Sequence, residues 1–167
     1  MNKPTAEFSN HLKARGYSSK TIDSYVNDIE EFFSFIHSKD VLFDKVNVEL
    51  VRQFLYDQME NGISKRSCQR RMSALRTFYD FLVRNNYSLV NPFRHVSSPK
   101  ADITFPKALY IEEVTALFEA NQKRTDELKD RDQALIELLY ASGMRVSEVA
   151  SLKLLQIDYH NRVIRVT

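Results

Sequence analysis

The stretch Leu138-Leu-Tyr-Ala-Ser-Gly-Met-Arg-Val-Ser-Glu-Val-Ala-Ser-Leu152 contains the end of an apolar helix, a break at Gly143 and a second helix led by Arg145. Glycine closes a helix readily because it adopts the left-handed backbone conformation without a steric penalty. We expect Arg145 in the first turn of the second helix, where the helix dipole disfavours a cation. Glu148 follows three residues later on the same face, within reach of the guanidinium. An arginine in this place suggests a functional role; the alternative is a surface arginine in a helical hairpin.

Length and composition restrict the class of protein. The 167 residues suffice for one domain, or for one domain and part of another, and 43% hydrophobic with 28% charged residues is typical of a soluble globular protein. No apolar run approaches the roughly 20 residues that span a bilayer, and the N-terminus has no signal-peptide core. The single cysteine, Cys68, excludes an internal disulfide. We therefore expect a cytoplasmic protein.

Apolar side chains at 3.6-residue spacing predict four helices in the first ninety residues. They are expected at about 4–14, 19–37, 47–60 and 64–84. Ser18 or Ser19, Asn47 and Ser64 are the expected N-caps, while Gly16 and Gly62 end the first and third helices. The side chains predicted to face the core are Phe8, Leu12, Ile22, Tyr25, Val26, Ile29, Phe32, Phe33, Ile36, Val51, Phe54, Leu55 and Met59.

The fourth helix has two different faces. Cys68, Met72, Leu75, Tyr79 and Leu82 share one side, and Arg66, Arg70, Ser73 and Thr77 share the opposite side. The net charge is only +2, but the stretch 62–84 carries six basic residues and one acid. Such a concentrated basic face could hold phosphates or enter a major groove; the alternative is an ordinary solvated helix face.

The remaining sequence predicts a linker and a second unit. Three of the four prolines lie between positions 92 and 106, so we expect a linker at 97–109. Fully extended, it would span up to about 43 Å, which is long enough to pass around a duplex. The alternative is a short ordered connection. Helices are predicted at 110–118 and 130–140, the latter with Ala134, Leu135, Leu138 and Leu139 in a core. The segment from Ile157 to Val166 is expected to form one incipient strand without a hairpin partner.

Two stretches resemble the tyrosine recombinases, and most closely their bacterial Xer type, with its XerC and XerD branches. Ala141-Ser-Gly-Met-Arg-Val-Ser-Glu-Val149, followed by Leu152, is similar to the first active-site motif of that family. Ser64-Lys-Arg-Ser-Cys-Gln-Arg-Arg-Met-Ser-Ala-Leu-Arg-Thr-Phe-Tyr79, with Asn91-Pro92 and Pro99-Lys100, is similar to the last helix and the exit of the Xer core-binding domain. The segment Phe105-Pro-Lys-Ala-Leu-Tyr110, which leads into the second unit, favours the XerC branch.

The resemblance implies a mainly α fold. Residues 1–96 would be a SAM-like core-binding bundle of four to five helices, followed by the linker at 97–109. Residues 110–167 would be the helical start of an α+β catalytic domain with the single incipient strand.

The resemblance also implies roles for individual residues. Arg145 would bind the scissile phosphate and stabilise charge in the transition state, supported by Glu148. Double-stranded DNA would be the partner, and the implied contacts are Lys20, Thr21, Lys65, Arg66, Arg70, Arg71, Ser73 and Thr77. Family members form tetramers on paired sites, in some cases with a sister recombinase. We expect this chain to be a monomer when it is not bound to DNA. We expect it to be located in the bacterial cytoplasm, associated with the nucleoid. No cofactor and no metal are expected.

Three later elements of the family's active site have no counterpart here: a lysine on a hairpin, a His-x-x-Arg motif and a nucleophilic tyrosine. Tyr159 and His160 match none of these positions, and we assign neither a catalytic role. We therefore expect a chain that binds DNA without cleaving it. Two alternatives remain open, a non-enzymatic DNA-binding regulator that occupies recombination sites and a helical protein-interaction module.

Overall fold

The computed structural model describes residues 3–100 and 108–166, which belong to two compact units, Met1–Thr104 and Phe105–Thr167. The predicted linker at 97–109 includes the division between the units, and its residues 101–107 lie outside the described residues. The predicted mainly α fold is confirmed. None of the described helices combines the length and the apolar character that crossing a membrane requires.

The first unit consists of α1 (Lys3–Ala14), α2 (Ser19–His37), α3 (Val48–Glu60) and α4 (Lys65–Arg84), with 3-10 turns at Phe43–Lys45 and Pro92–His95. The predicted caps are confirmed: the side chains of Ser18, Asn47 and Ser64 accept hydrogen bonds from the backbone N–H groups of Thr21, Leu50 and Ser67. These bonds satisfy donors that the first helical turn leaves without partners. The helix bounds predicted from sequence therefore agree with the structure to within a residue or so.

Aromatic rings dominate the core of the first unit. Phe32 contacts Phe54 and Phe93 edge-on, with ring centroids 5.0 and 5.2 Å apart. The fully buried set also contains Phe8, Leu12, Ile29, Val51, Cys68, Met72, Leu75, Phe78, Tyr79 and Leu82. Phe93 belongs to the turn after α4, so this segment packs back on α3 and α4 and closes the bundle.

One predicted core position in α3 is wrong. Met59 is 43% exposed, and Gln58 takes the inward place beside Val51 and Leu55. The reason is polar: the Gln58 side-chain oxygen accepts a hydrogen bond from Arg71 on α4, which lets an amide occupy a buried site.

The second unit contains α5 (Ile111–Gln122), α6 (Lys129–Ser142), α7 (Val146–Ala150), a 3-10 turn at Leu154–Gln156, and the strands β1 (Ile157–Asp158) and β2 (Val163–Ile164). The expected burial of α6 is wrong for Ala134 and Leu135, which are exposed, while Leu138 and Leu139 are only half-buried. The cause is that α6 packs mainly against α5 and α7, which leave much of its circumference uncovered.

The expectation of a strand without a hairpin partner is also wrong. β1 pairs antiparallel with β2, with Ile157 opposite Ile164 and Asp158 opposite Val163. The Asp158 carboxylate accepts hydrogen bonds from the backbone N–H groups of His160 and Asn161 at 3.1 and 2.9 Å, and Arg162 adopts φ 54°. This local turn reverses the chain and makes a short hairpin.

Candidate nucleic-acid interface

The outer sides of α2 and α4 meet along a seam. Nη1 of Arg70 on α4 donates hydrogen bonds to Ser24 Oγ at 2.5 Å and to the Asp28 carboxylate, both on α2. Because residues three or four apart share a helix face, Lys20 and Thr21 lie on the same side of α2 as Ser24, and Arg66 and Ser73 on the same side of α4 as Arg70. We name this the α2–α4 surface; its members are Lys20, Thr21, Ser24, Arg66, Arg70 and Ser73.

Two cations of the α2–α4 surface have no compensating charge. Lys20 in the first turn of α2 and Arg66 in the first turn of α4 are exposed, and neither forms an ion pair within residues 3–100. Lys65, beside Arg66, is also exposed. Lys20 and Arg66, which lack a charged partner there, are suited to neutralising phosphates by charge.

The hydroxyls predicted as contacts differ in availability. Ser73 is exposed, and Thr21 Oγ1 lies 2.8 Å from Ser18 Oγ at the start of α2. The Thr77 hydroxyl donates a hydrogen bond to the Ser73 backbone carbonyl at 2.9 Å, and the residue is half-buried. Of the two predicted hydroxyl contacts on α4, Ser73 is therefore the more accessible.

Arg71 occupies a different environment from Arg70. Its side chain is only 13% exposed, and its Nη1 donates hydrogen bonds to Glu31 on α2 and to Gln58 on α3. Its Nε is buried and has no hydrogen-bond partner in the described chain; the nearest Asp28 oxygen is 3.7 Å away. This placement favours a role in joining three helices over contact with DNA.

Sequence reasoning missed Asp28, whose side chain is 3% exposed beneath the α2–α4 surface. Burial raises its pKa, an effect that the nearby Arg70 and Arg71 oppose. A signal was present: Asp28 lies three residues after Tyr25 and four before Phe32, so a charged residue falls within the apolar stripe of α2.

Arg145 lies one position earlier than expected. It is the N-cap of α7, in extended conformation with φ −71° and ψ 149°, after Gly143 ends α6 with φ 64°. Glu148 accepts hydrogen bonds from the Arg145 backbone N–H and from its Nη1, each at 2.7 Å. These bonds, the backbone one foremost, lower the pKa of Glu148. The Arg145 side chain is 82% exposed, so a locally held guanidinium faces solvent.

Tyr159 and His160 lie in the turn between β1 and β2, and both are exposed. His160 contributes its backbone N–H to the turn through Asp158. Among the described residues, the Tyr159 hydroxyl forms no side-chain hydrogen bond.

Two family profiles match separate parts of the chain. The profile described as phage integrase, N-terminal SAM-like domain, matches residues 5–86, and the profile described as phage integrase family matches residues 107–167. The chain belongs to the tyrosine recombinases of the phage integrase family. The resemblance inferred from the Arg145 motif and from the stretch after Ser64 is thereby confirmed.

Curated relatives place the chain near the Xer type. It is 44% identical over 145 residues to tyrosine recombinase XerC of Bacillus licheniformis, a match that covers 86% of this chain and 47% of that protein. It is 38% identical over 160 residues to tyrosine recombinase XerC of Thermodesulfovibrio yellowstonii, covering 95% of this chain and 52% of that protein. The chain thus spans about half the length of the curated relatives it matches.

Solved structures share the fold. A lambda integrase dimer bound to a COC′ core site superposes with a TM-score of 0.73 at 16% identity, covering 93% of this chain and 54% of that one. The Tn1549 transposon integrase in complex with circular intermediate DNA gives 0.73 at 19% identity, covering 98% of this chain and 53% of that one. At these identities the likeness concerns the fold alone.

Proposed function

We propose that this chain binds duplex DNA through the α2–α4 surface and supplies the phosphate-binding arginine of a site-specific recombinase of the Xer type. The observation that carries the proposal is the pair of uncompensated cations, Lys20 and Arg66, beside the positioned Arg70. Family membership supports it, because the matched XerC relatives are recombinases. Resolution of chromosome dimers in the bacterial nucleoid is the biological setting that this relationship suggests.

The proposed DNA contacts divide by chemistry. Lys20, Lys65 and Arg66 contact phosphates through charge, while Thr21 and Ser73 contribute hydrogen bonds and Arg70 adds a planar donor group. Thr77 contributes less because its hydroxyl already serves the Ser73 carbonyl. Arg71 supports the surface from below and is left out of the contact set.

Arg145 performs the electrostatic part of the proposed chemistry. Its guanidinium holds two non-bridging oxygens of the scissile phosphate and stabilises the charge that develops as the phosphodiester is attacked. Glu148 fixes the arginine through the two 2.7 Å hydrogen bonds. In the complete reaction a tyrosine would attack the scissile phosphodiester, releasing a 5′-hydroxyl and forming a 3′-phosphotyrosyl link. The 5′-hydroxyl of a second strand would then attack that link and release the tyrosine, within a tetramer on paired sites. We assign the nucleophile to no residue of this chain and propose that it binds DNA without cleaving it.

Fluorescence anisotropy across a salt series tests the binding. The duplex, about three helical turns long, is selected by the wild-type chain from a random pool and compared with its scrambled counterpart. If about five phosphates are neutralised, affinity falls roughly 500-fold between about 50 and 200 mM salt.

Matched substitutions locate the binding surface. Arg66→Ala with Arg70→Ala should abolish most of the binding, whereas Arg52→Ala, which removes an exposed arginine from α3, should leave it intact. Weak binding that ignores salt, sequence and both substitutions would contradict the proposal and favour a protein-interaction module.

Incubation with a duplex carrying a nick near the selected site tests the absence of cleavage. We expect no DNA-linked protein band on a denaturing gel. A covalent product that disappears with Tyr159→Phe would show that the chain cleaves after all.

A further inference from the structure

Arg70 differs from the other cations of the α2–α4 surface in being held from below. Its side chain is 46% exposed, yet Nη1 is fixed by Ser24 and by the buried Asp28. The other guanidinium N–H groups form no hydrogen bond to the described chain. A planar donor group is thus presented at the seam in one orientation, whereas Lys20 and Arg66 have no such anchor.

Arg70 belongs to a cluster of four charged side chains whose charges cancel. Asp28 and Glu31 contribute two negative charges, and Arg70 and Arg71 two positive charges, so the four groups sum to zero. An arginine whose charge is already compensated adds little to the attraction for phosphates. Arg70 still presents its remaining N–H groups in one fixed orientation, which suits hydrogen bonding to a base edge.

Stability alone does not explain the buried carboxylate. Removing a charge from water is unfavourable, and a buried ion pair is commonly no more stable than well-packed apolar side chains. The raised pKa of Asp28, caused first by burial, shows that desolvation outweighs the attraction of Arg70 and Arg71. A carboxylate kept at such a site calls for a task in addition to packing.

We propose that Asp28 is a positioning residue that fixes Arg70 to read a guanine edge in the major groove. The inference rests on the proposed function, because it requires the α2–α4 surface to face DNA. Arg70 donates to guanine O6 and N7, the commonest specific arginine contact, while Lys20 and Arg66 bind phosphates without regard to sequence. Asp28 itself touches no DNA and acts through Arg70.

The test compares the selected duplex with its scrambled counterpart for the full chain and four variants, Asp28→Asn, Ser24→Ala, Arg70→Lys and Glu31→Gln. Asp28→Asn should lower the preference for the selected duplex about tenfold, the size of one lost bidentate contact. The affinity of this variant should depend more steeply on salt, by up to about one additional neutralised phosphate, because the charge of Arg70 is no longer compensated. Arg70→Lys should lose the same preference without losing charge.

Glu31→Gln is the matched control, because it removes a partner of Arg71 and leaves the Arg70 contacts in place. We expect it to keep the preference even where thermal stability falls. If Asp28→Asn fails to fold, Ser24→Ala still decides the question, since it removes a partner of Arg70 without altering charge. It should weaken the preference with an unchanged salt slope.

Replacing each guanine of the selected duplex by 7-deazaguanine, which lacks the N7 acceptor, identifies the base. One position should weaken wild-type binding and have no further effect on Asp28→Asn or Arg70→Lys. The inference is wrong if Asp28→Asn and Arg70→Lys still lose affinity at the 7-deazaguanine position that weakens the wild type. It is also wrong if they weaken binding to the selected and scrambled duplexes equally. In either case Asp28 is a structural residue. A wild-type chain that binds no duplex would overturn the proposed function as well, which distinguishes the two failures.

Discussion

The two units of this chain bury their apolar side chains to very different extents. The first unit encloses a continuous aromatic core from Phe8 to Phe93, whereas in the described part of the second unit only Asn121 and Val149 are buried. The second unit nevertheless holds Arg145 in a defined local geometry through Glu148. Core packing therefore supports the α2–α4 surface, while short-range hydrogen bonds to Glu148 hold Arg145.

The largest expected difference between the units concerns their cores. Phe32→Ala leaves a cavity among fully buried rings and should lower the free energy of unfolding by about 3–5 kcal/mol. Leu135→Ala removes a side chain that is already 38% exposed and should change it by less than about 1 kcal/mol. Urea titration followed by circular dichroism measures both. Equal losses would show that the second unit has a core as consequential as the first.

Substitution of Asp80 on α4 is expected to have an intermediate effect on the free energy of unfolding. Burial acts to raise its pKa, but hydrogen bonds from Arg94 and Asn91 outweigh burial and hold the pKa below its usual range. Because the folded-state pKa is depressed, the stabilisation is fully present above about pH 4 and is lost as the pH falls through the folded-state value.

The stability difference between the wild type and Asp80→Asn should therefore be largest near neutral pH and shrink in acid. Asp132 on α6 also has a lowered pKa, caused first by Arg131 and then by Arg124, so Asp132→Asn should show a pH dependence of the same sign. Thermal melts across the pH range provide the comparison. A constant difference for Asp80→Asn would contradict the assigned cause.

The smallest effect on stability is expected at Glu148. Glu148→Gln weakens the hold on Arg145 but touches neither core, so the melting temperature should remain within error of the wild type. The N-terminal resonances of α7 should shift in an NMR spectrum, with those of α2 and α4 unchanged. Widespread shifts would show that this local pair supports more of the fold than its contacts indicate.

Sequence reasoning reached local features more reliably than contacts between elements. The bounds of α2, α3 and α4 were predictable because Ser18, Asn47 and Ser64 cap them and the apolar period is regular. The exposed Met59 was not, because Gln58 competes for the inward place through Arg71, a partner on another helix. The β1–β2 hairpin was missed because strands of two residues carry almost no alternating pattern.

The candidate site shows the same limit. Periodicity placed Arg66, Arg70 and Ser73 on one face of α4, and the motif around Gly143 indicated Arg145. It did not distinguish Arg70 from the adjacent Arg71, whose guanidinium turns inward to Glu31 and Gln58. Asp28 was overlooked because a charge within an apolar stripe reveals its partners only in three dimensions.

The most direct test of the central claim, that the α2–α4 surface faces DNA, is cleavage of bound duplex by tethered iron–EDTA. Cys68 is buried and its pKa is raised by that burial, so it should resist labelling, and Ser73→Cys on α4 and Gln53→Cys on α3 offer exposed attachment points. The label at position 73 should cut the selected duplex within a narrow window, and the label at position 53 should leave it intact. Cutting from position 53 alone would show that DNA lies on another face of the first unit.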